Sequence, residues 1–150
     1  MKLYLYTDGS SIGNPGAAGA AFLIKNEAGE VIAHGRKAIG VATNNQAEYI
    51  ALIYGLEQAR TIGAEIIEWF SDSELLVKQW TGAYQIRDPQ LRSLIEKARQ
   101  LAKGIQIRPH AVPRNSLPEM EKVDRWARSA AGEKPGAKKA FRGSRRRGSR

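Results

Sequence analysis

Four acidic residues stand where carboxylate chemistry could be built. Asp8 follows a short alternating apolar stretch at 2–7, and Asp72 follows a second apolar stretch at 65–71. Carboxylate oxygens are the ligands that hard divalent cations such as Mg²⁺ prefer. Adjacent strands lie only about 4.8 Å apart, so carboxylates at the ends of neighbouring strands can share one cation. These residue types indicate a metal site, provided that the fold brings them together.

Glu48 is the most informative of the four, because its helical neighbours are small or apolar. A buried carboxylate without a partner costs several kcal/mol, so Glu48 favours a nearby cation. Asp124, which opens the last predicted helix, is the fourth candidate. The residues that share a helix face with Glu48 are Ala51, Leu52, Gly55, Leu56 and Ala59.

Three of the four acids have an ordinary structural alternative. Asp8 precedes Gly9 and could be a turn residue, and Asp72 could belong to the helix-capping turn at 71–74. Asp124 could be a charge favoured by the dipole at a helix N-terminus. Glu48 resists such an explanation, since a solvated glutamate should not head an apolar stripe. Only the fold can decide whether the four acids converge.

The elements that would position these acids follow the order β-β-β-α-β-α-α-β-α, an α/β fold with a mixed sheet. If the first and fourth strands are parallel neighbours, their C-terminal ends lie side by side, where open α/β sheets bind ligands. Thr43 to Asn45 supply N-cap candidates for the first helix, and Gly63 suits its C-terminal cap. We predict five strands, over 2–7, 17–25, 31–39, 65–71 and 105–109, with turns at 11–16 and 26–30. We predict helices over 45–61, 88–102 and 120–131, and one further helix that opens with a capping box at 71–74 and ends at Trp80.

Charge divides the chain into a body at 1–131 and a tail at 132–150. The tail holds eight basic residues against Glu133 alone, so seven of the nine net positive charges lie there. It lacks apolar periodicity and is expected to be disordered. A polyanionic partner or a solubility role would each explain such a tail. Without an apolar run of about 18 residues or a secretory leader we expect no membrane span and a cytoplasmic address.

Four motifs in this order resemble the type 1 ribonuclease H family. They are Tyr6-Thr7-Asp8-Gly9-Ser10 with Gly13-Asn14-Pro15-Gly16, then Thr43-Asn44-Asn45-Gln46-Ala47-Glu48, Ser71-Asp72-Ser73 with Trp80, and Asp124-Arg125-Trp126-Ala127. The resemblance covers residues 2–131. It implies a ribonuclease H-like fold whose five-stranded mixed sheet has strands one and four as central parallel neighbours.

The resemblance also implies a chemistry, namely hydrolysis of the RNA strand of an RNA–DNA hybrid to 5′-phosphate and 3′-hydroxyl ends. By the family's pattern Asp8 bridges two Mg²⁺ ions, Glu48 and Asp72 complete one side, and Asp124 holds the ion on the nucleophile side. Mn²⁺ usually substitutes. Four carboxylates in one pocket repel one another, which raises their proton affinity unless metal neutralises them.

The resemblance also implies that four further residues contact the substrate. Asn14, Asn44 and Asn45 match positions that touch the hybrid in its minor groove, where 2′-hydroxyl groups are displayed. Thr43 matches a position that binds a phosphate of the DNA strand. The alternative for the asparagines is helix capping.

The sequence departs from many bacterial members in two places. The stretch 81–92 offers only Arg87 and Arg92 where those members carry a basic protrusion. We also expect no hybrid-binding domain before Met1. We hypothesise that the tail at 132–150 supplies the missing affinity. His110 is interpreted as structural rather than catalytic, and nothing in the sequence indicates a function for His34.

Three rival functions stay open at this stage. The same fold could bind structured nucleic acid without cutting it, or it could be a DNA nuclease of the wider superfamily. An interaction module built on the basic tail is the third, and it leaves Glu48 unexplained. We expect the chain to act as a monomer on the hybrid.

Overall fold

The computed structural model describes residues 1–133 and 138–142, and within them the predicted order of elements is confirmed with one strand added. The strands are β1 (Lys2–Gly13), β2 (Gly16–Lys25), β3 (Val31–Ala42), β4 (Ile66–Ser71), β5 (Gln106–Ala111) and β6 (Lys138–Arg142). The helices are α1 (Asn44–Ile62), α2 (Glu74–Thr81), α3 (Pro89–Leu101) and α4 (Pro118–Ala131). The strands form one sheet in the order β5-β4-β1-β2-β3-β6.

The centre of the sheet is the parallel pair of β1 and β4, as predicted. Its register runs from Lys2 opposite Ile66 to Tyr6 opposite Phe70. The β5 strand adds in parallel to β4, whereas β2 and β3 add antiparallel on the other side of β1. The predicted five-stranded mixed sheet is therefore confirmed. The C-terminal end of β4 lies next to the middle of β1, where the pairing of the two strands ends at Tyr6.

Helices cover both faces of this sheet. The apolar stripe of α1 packs on one face, where Leu5, Leu52 and Trp69 are fully buried. The α4 helix packs on the other face through Met120 and Val123. Its close approach to β2 requires Gly19, because a Cβ there would stand 2.2 Å from the carbonyl oxygen of Ala127. None of the helices in the described ranges is long and apolar enough to cross a membrane.

Of the boundaries that differ from the predicted ones, three lie near the candidate acids. The β1 strand continues to Gly13 where we predicted a turn from Ser11, because its ladder with β2 extends to the pair of Gly13 and Gly16. The α2 helix begins at Glu74 with Ser73 as N-cap, so the predicted capping box at 71–74 is wrong by two residues. The α4 helix begins at Pro118, which places Asp124 inside the helix instead of at its start.

The C-terminal segment also differs from expectation. We predicted a disordered tail over 132–150, but residues 138–142 form β6, which pairs antiparallel with β3. Sequence patterns miss such a strand because an edge strand gains its stability from ladder hydrogen bonds rather than from apolar alternation. Residues 134–137 and 143–150 of the predicted tail lie outside the described residues.

Candidate active site

Two of the predicted acids lie beside each other where the pairing of β1 with β4 ends. Asp8 lies two residues beyond Tyr6, the last residue of β1 that pairs with β4, and it is only 3% exposed. Asp72 directly follows the end of β4 at Ser71. Asp8 and Asp72 therefore lie close together because β1 and β4 are parallel neighbours, as expected from the sequence.

Glu48 reaches the same point from α1. Thr43 caps this helix by accepting the backbone N–H of Gln46, and the Gln46 side chain accepts the N–H of Thr43 in return. Glu48 therefore lies on the second turn, where its Oε1 accepts the backbone N–H of Gly9 at 3.2 Å. A Cβ at Gly9 would stand 2.2 Å from the Ala47 carbonyl carbon, so only glycine permits this contact between strand and helix.

Asp124 enters the site from α4, on the opposite face of the sheet from α1. It is 4% exposed and lies seven positions into the helix, so the helix N-terminus does not account for it. Arg128, one turn further along, donates from Nη2 to Asp124 Oδ2 at 2.6 Å. The Nη2 atom of Arg114 is 3.7 Å from Asp124 Oδ1.

The four acids line one cleft. Asp8, Glu48 and Asp72 each offer a carboxylate oxygen within 4.8 Å of the other two. Asp124 faces the same space and interacts with Asp8. The cleft has a volume of about 490 Å³, and its walls are Asp8, Gly9, Ser10, Ser11, Asn44, Asn45, Glu48, Asp72, Ser73, Arg114, Asp124 and Arg128.

Crowding and burial raise the proton affinity of these carboxylates. Burial, together with the charge of Asp72, raises the pKa of Asp8 to about 8. Burial and the charge of Asp8 raise the pKa of Glu48 well above its ordinary value. Burial also raises the pKa of Asp72, against the opposing effect of Arg114. Without a cation the cleft therefore retains protons near neutral pH that ordinary carboxylic acids would have released.

This arrangement fits a divalent cation. Its donors are carboxylate oxygens, which suit hard cations such as Mg²⁺ or Mn²⁺ and need no histidine or cysteine. A cation would remove the mutual repulsion that raises the pKa of the three central acids. Asp8, Glu48 and Asp72 are the residues that could hold such an ion, and Asp124 could hold a second one.

The residues predicted to contact substrate lie around the same cleft, and two of them are linked to each other. The backbone N–H of Asn44 donates to Asn14 Oδ1 at 3.0 Å, and Asn44 Oδ1 accepts the N–H of Ser11 at 3.0 Å. These bonds fasten the β1–β2 turn to the start of α1. Asn44 and Asn45 line the cleft, whereas Thr43 caps the helix and Asn14 reaches the cleft only through Asn44.

Sequence reasoning missed Gly9, Arg114 and Arg128 as site residues. Arg128 had a signal, because it lies four positions after Asp124 and shares its helix face. Gly9 had none, because the clash of a Cβ with α1 appears only in three dimensions. His110 was interpreted as structural, and its Nε2 lies 2.7 Å from Glu68 Oε1 on the sheet, while its ring stacks on Phe70.

Comparisons with known proteins agree with the fold. The family described as reverse transcriptase-like matches residues 6–116. Ribonuclease HI of Halobacterium salinarum is 46% identical over 103 residues, which cover 69% of this chain and 52% of that protein. The crystal structure of RNase H1 from this archaeon superposes with a TM-score of 0.82 at 41% identity, covering 87% of this chain and 97% of that one. LC11-RNase H1, solved in complex with RNA/DNA hybrid, gives 0.78 at 31% identity, with 86% and 96% covered.

The fold and the four-acid cleft thus define a ribonuclease H-like protein. The chain belongs to the reverse transcriptase-like family and, within it, to the type 1 ribonuclease H group. It spans about half the length of the Halobacterium salinarum protein, and 40% of a mycobacterial relative.

Proposed function

We propose that the protein is an endoribonuclease that hydrolyses the RNA strand of RNA–DNA hybrids. One observation carries the proposal: three carboxylates from three separate elements meet within 4.8 Å, beside a fourth, in an open cleft. The similarity to LC11-RNase H1, whose structure contains an RNA/DNA hybrid, supports the choice of substrate.

The carboxylates have separate tasks in this proposal. Asp8, Glu48 and Asp72 would hold one Mg²⁺ ion, and Asp124 together with Asp8 would hold a second. Divalent ions bound there would activate the attacking water and neutralise the departing 3′ oxygen, so that cleavage leaves 5′-phosphate and 3′-hydroxyl ends. Gly9 orients Glu48 through its backbone N–H, and Arg128 orients Asp124.

Selection of the hybrid is assigned to the polar rim of the cleft. Asn44 and Asn45 line it, and their carboxamide groups can both donate to and accept from a 2′-hydroxyl. Asn14 holds Asn44 in place, and Thr43 fixes the helix start on which both cleft asparagines stand. A DNA strand lacks the 2′-hydroxyl, so this rim separates RNA from DNA in the strand that is cut. We further propose that residues 1–131 form the catalytic domain.

A cleavage assay with three matched substrates tests the proposal. RNA labelled within an RNA–DNA hybrid is compared with duplex RNA and duplex DNA, in Mg²⁺, in Mn²⁺ and with chelator. We expect cut RNA only from the hybrid, only with metal, and with 5′-phosphate ends. Cleavage of duplex DNA instead would indicate a DNA nuclease, and binding of the hybrid without cleavage would indicate a non-catalytic protein.

A further inference from the structure

Three apolar side chains close to the cleft are exposed to solvent. Ile12 is 60% exposed and Val41 is 77% exposed, and Ala17, which lies between them, is exposed as well. Ile12 is opposite Ala17 in the pairing of β1 with β2, and Ala17 is opposite Val41 in the pairing of β2 with β3. Residues directly opposite share a face of the sheet, so the three side chains form one row. We call Ile12, Ala17 and Val41 the apolar shelf.

The apolar shelf continues the cleft along β1. Side chains two residues apart in a strand share a face, so Ile12 lies on the same face as Asp8 and Ser10, which both line the cleft. The four residues from Asp8 to Ile12 span about 14 Å. The last turn of α4 packs on this face at Gly19, and the shelf lies one row further from the helix. The shelf is therefore an open surface that adjoins the acids.

A β-bulge in β3 turns Val41 towards this face. The ladder between β2 and β3 shifts by one residue, because Gly19 is opposite Ala38 whereas Ala18 is opposite Gly40. Regular alternation from Ala38 would direct Val41 to the face covered by α1, and the extra residue directs it to the exposed face instead. Gly40 adopts a φ of 80°, a left-handed conformation that favours glycine. The backbone is thus shaped so that a large apolar side chain points into water, as bulges beside active sites commonly re-aim side chains.

From this geometry we infer that the apolar shelf packs against the sugar edges in the minor groove of the hybrid. The inference rests on the proposed function, which brings the hybrid into the adjoining cleft. Asn14, two residues beyond Ile12, accepts the backbone N–H of Asn44 at the cleft, so the shelf adjoins the rim assigned to the 2′-hydroxyl groups. The carbon-bound hydrogens of the sugars give the groove walls an apolar surface, and burial of apolar area against the shelf stabilises the complex.

The width of the apolar shelf selects the form of the duplex. The β1 and β3 strands are two strand spacings apart, so the backbones of Ile12 and Val41 are separated by about 10 Å. The minor groove of B-form DNA is only about 6 Å wide, whereas that of an A-form helix is wide and shallow. A shelf of this breadth enters the second groove and not the first. It is therefore suited to duplexes that contain an RNA strand, whose geometry is A-like.

Binding of an RNA–DNA hybrid to the full chain in chelator tests the apolar shelf without any cleavage. The Ile12→Thr/Val41→Thr variant keeps β-branched side chains in both strands but makes them polar. Ile66→Thr is the matched control, since it makes the same kind of change in β4, at the end of that strand remote from the cleft. We expect the shelf variant to weaken hybrid binding about tenfold and the control to bind as the wild type does.

Further readouts separate packing in the groove from charge and from folding. Apolar contacts release no counterions, so the slope of log K against log salt should be the same in the shelf variant and in the wild type. The affinity for duplex DNA of equal length should also be unchanged. Urea unfolding verifies that the variant is folded. If it is not, the nearly isosteric Val41→Thr change alone replaces it, and this change should weaken hybrid binding about threefold.

Wild-type affinity of the shelf variant for the hybrid would overturn the inference, and so would an equal loss of affinity for hybrid and for duplex DNA. A wild-type dimer that the variant loses, with hybrid binding unchanged, would indicate a second copy of the chain as the occupant instead. Hybrid cleavage by the wild type in Mg²⁺ is measured separately. Absence of that cleavage would contradict the proposed function, whereas normal cleavage together with unaltered binding by the shelf variant would contradict the shelf alone.

Discussion

Glu68 and the cleft acid Asp8 lie on the same sheet, and both are withdrawn from water. Glu68 is 8% exposed in the middle of β4, and Asp8 is 3% exposed towards the end of β1. Three basic side chains surround Glu68: Lys2 at 3.2 Å, Arg108 at 3.0 Å and His110 at 2.7 Å. Asp8 has Glu48, Asp72 and Asp124 as its neighbours instead.

The pKa values of the two sites move in opposite directions for that reason. Hydrogen bonds from His110, Arg108 and Lys2 lower the pKa of Glu68 to about 2, whereas burial and neighbouring acids raise that of Asp8 to about 8. Burial alone therefore does not mark a functional acid. The Glu68 cluster is electrostatically complete and joins β1, β4 and β5, whereas the cleft lacks the positive charge that would complete it.

The largest contrast is expected in catalysis. Asp8→Asn should lower hybrid cleavage by about a thousandfold or more, because loss of a shared ligand forfeits several kcal/mol of transition-state charge stabilisation. Glu68→Gln should retain cleavage within about threefold, since it lies outside the cleft. Initial rates on labelled hybrid in Mg²⁺ give both numbers. Wild-type turnover by Asp8→Asn would remove the distinction between the two sites.

Stability should depend on pH in two separate windows in the metal-free protein. Because the folded pKa of Asp8 lies above its ordinary 3.8, the folded state holds protons that the unfolded state releases, and stability falls as pH rises from about 4 to 8. Glu68 has a folded pKa below its ordinary 4.5, so its contribution is full above that value and is lost as pH falls towards 2.

Denaturant unfolding in chelator across this pH range checks both windows. Asp8→Asn should flatten the decline above pH 4, which amounts to up to about 4 kcal/mol between pH 5 and 8 if the shift is expressed in full. Glu68→Gln should flatten only the acid side. A wild-type protein whose stability rises from pH 5 to 8 without metal would contradict the electrostatics of the cleft.

Near neutral pH the same two substitutions should change stability with opposite signs. Glu68→Gln leaves Lys2, Arg108 and His110 with a neutral partner and should cost about 1–2 kcal/mol. The value is modest because the side chains of Arg108 and His110 are 44% and 43% exposed. Asp8→Asn removes repulsion and should raise the free energy of unfolding in chelator. Differential scanning calorimetry at one pH measures both, and a destabilised Asp8→Asn would indicate that packing outweighs charge in the cleft.

The smallest effect, a change in Mn²⁺ affinity, is expected at Arg128. This residue gives Asp124 one basic partner, whereas Glu68 has three. Its guanidinium competes with a cation for Asp124, so Arg128→Gln should tighten Mn²⁺ binding. The side chain is 58% exposed, and such a pair is worth only about 0.5 kcal/mol, or two- to threefold in affinity. Arg125→Gln, an exposed change on the same helix, is the matched control and should leave the affinity unchanged.

The acids of the cleft could largely be predicted from the sequence. Glu48 at the head of an apolar stripe, and Asp8 and Asp72 after two strands, were identified as candidates because helix periodicity and strand order can be read from the sequence. Their convergence depended on the fold. Asp124 was also a candidate, and the resemblance of four motifs supported it, although the sequence placed it too near the start of α4.

The cluster of basic residues around Glu68 could not be predicted from the sequence. Glu68 stands in a short apolar strand as a single charge, and its partners Lys2, Arg108 and His110 come from other strands whose register no local pattern specifies. Register likewise hid β6, since its partner residues in β3 lie about a hundred positions earlier. The close approach that requires Gly9 depends on the packing of α1 against β1 and is equally invisible in one dimension.

Binding of Mn²⁺ measured by calorimetry at pH 8 tests the central claim most directly, because it asks whether the crowded acids hold a cation. We predict that wild type and Glu68→Gln bind Mn²⁺ with equal affinity and that Asp8→Asn loses this binding. If Asp8→Asn bound Mn²⁺ as tightly as wild type, the cleft would not be the metal site, and the proposed mechanism would be contradicted.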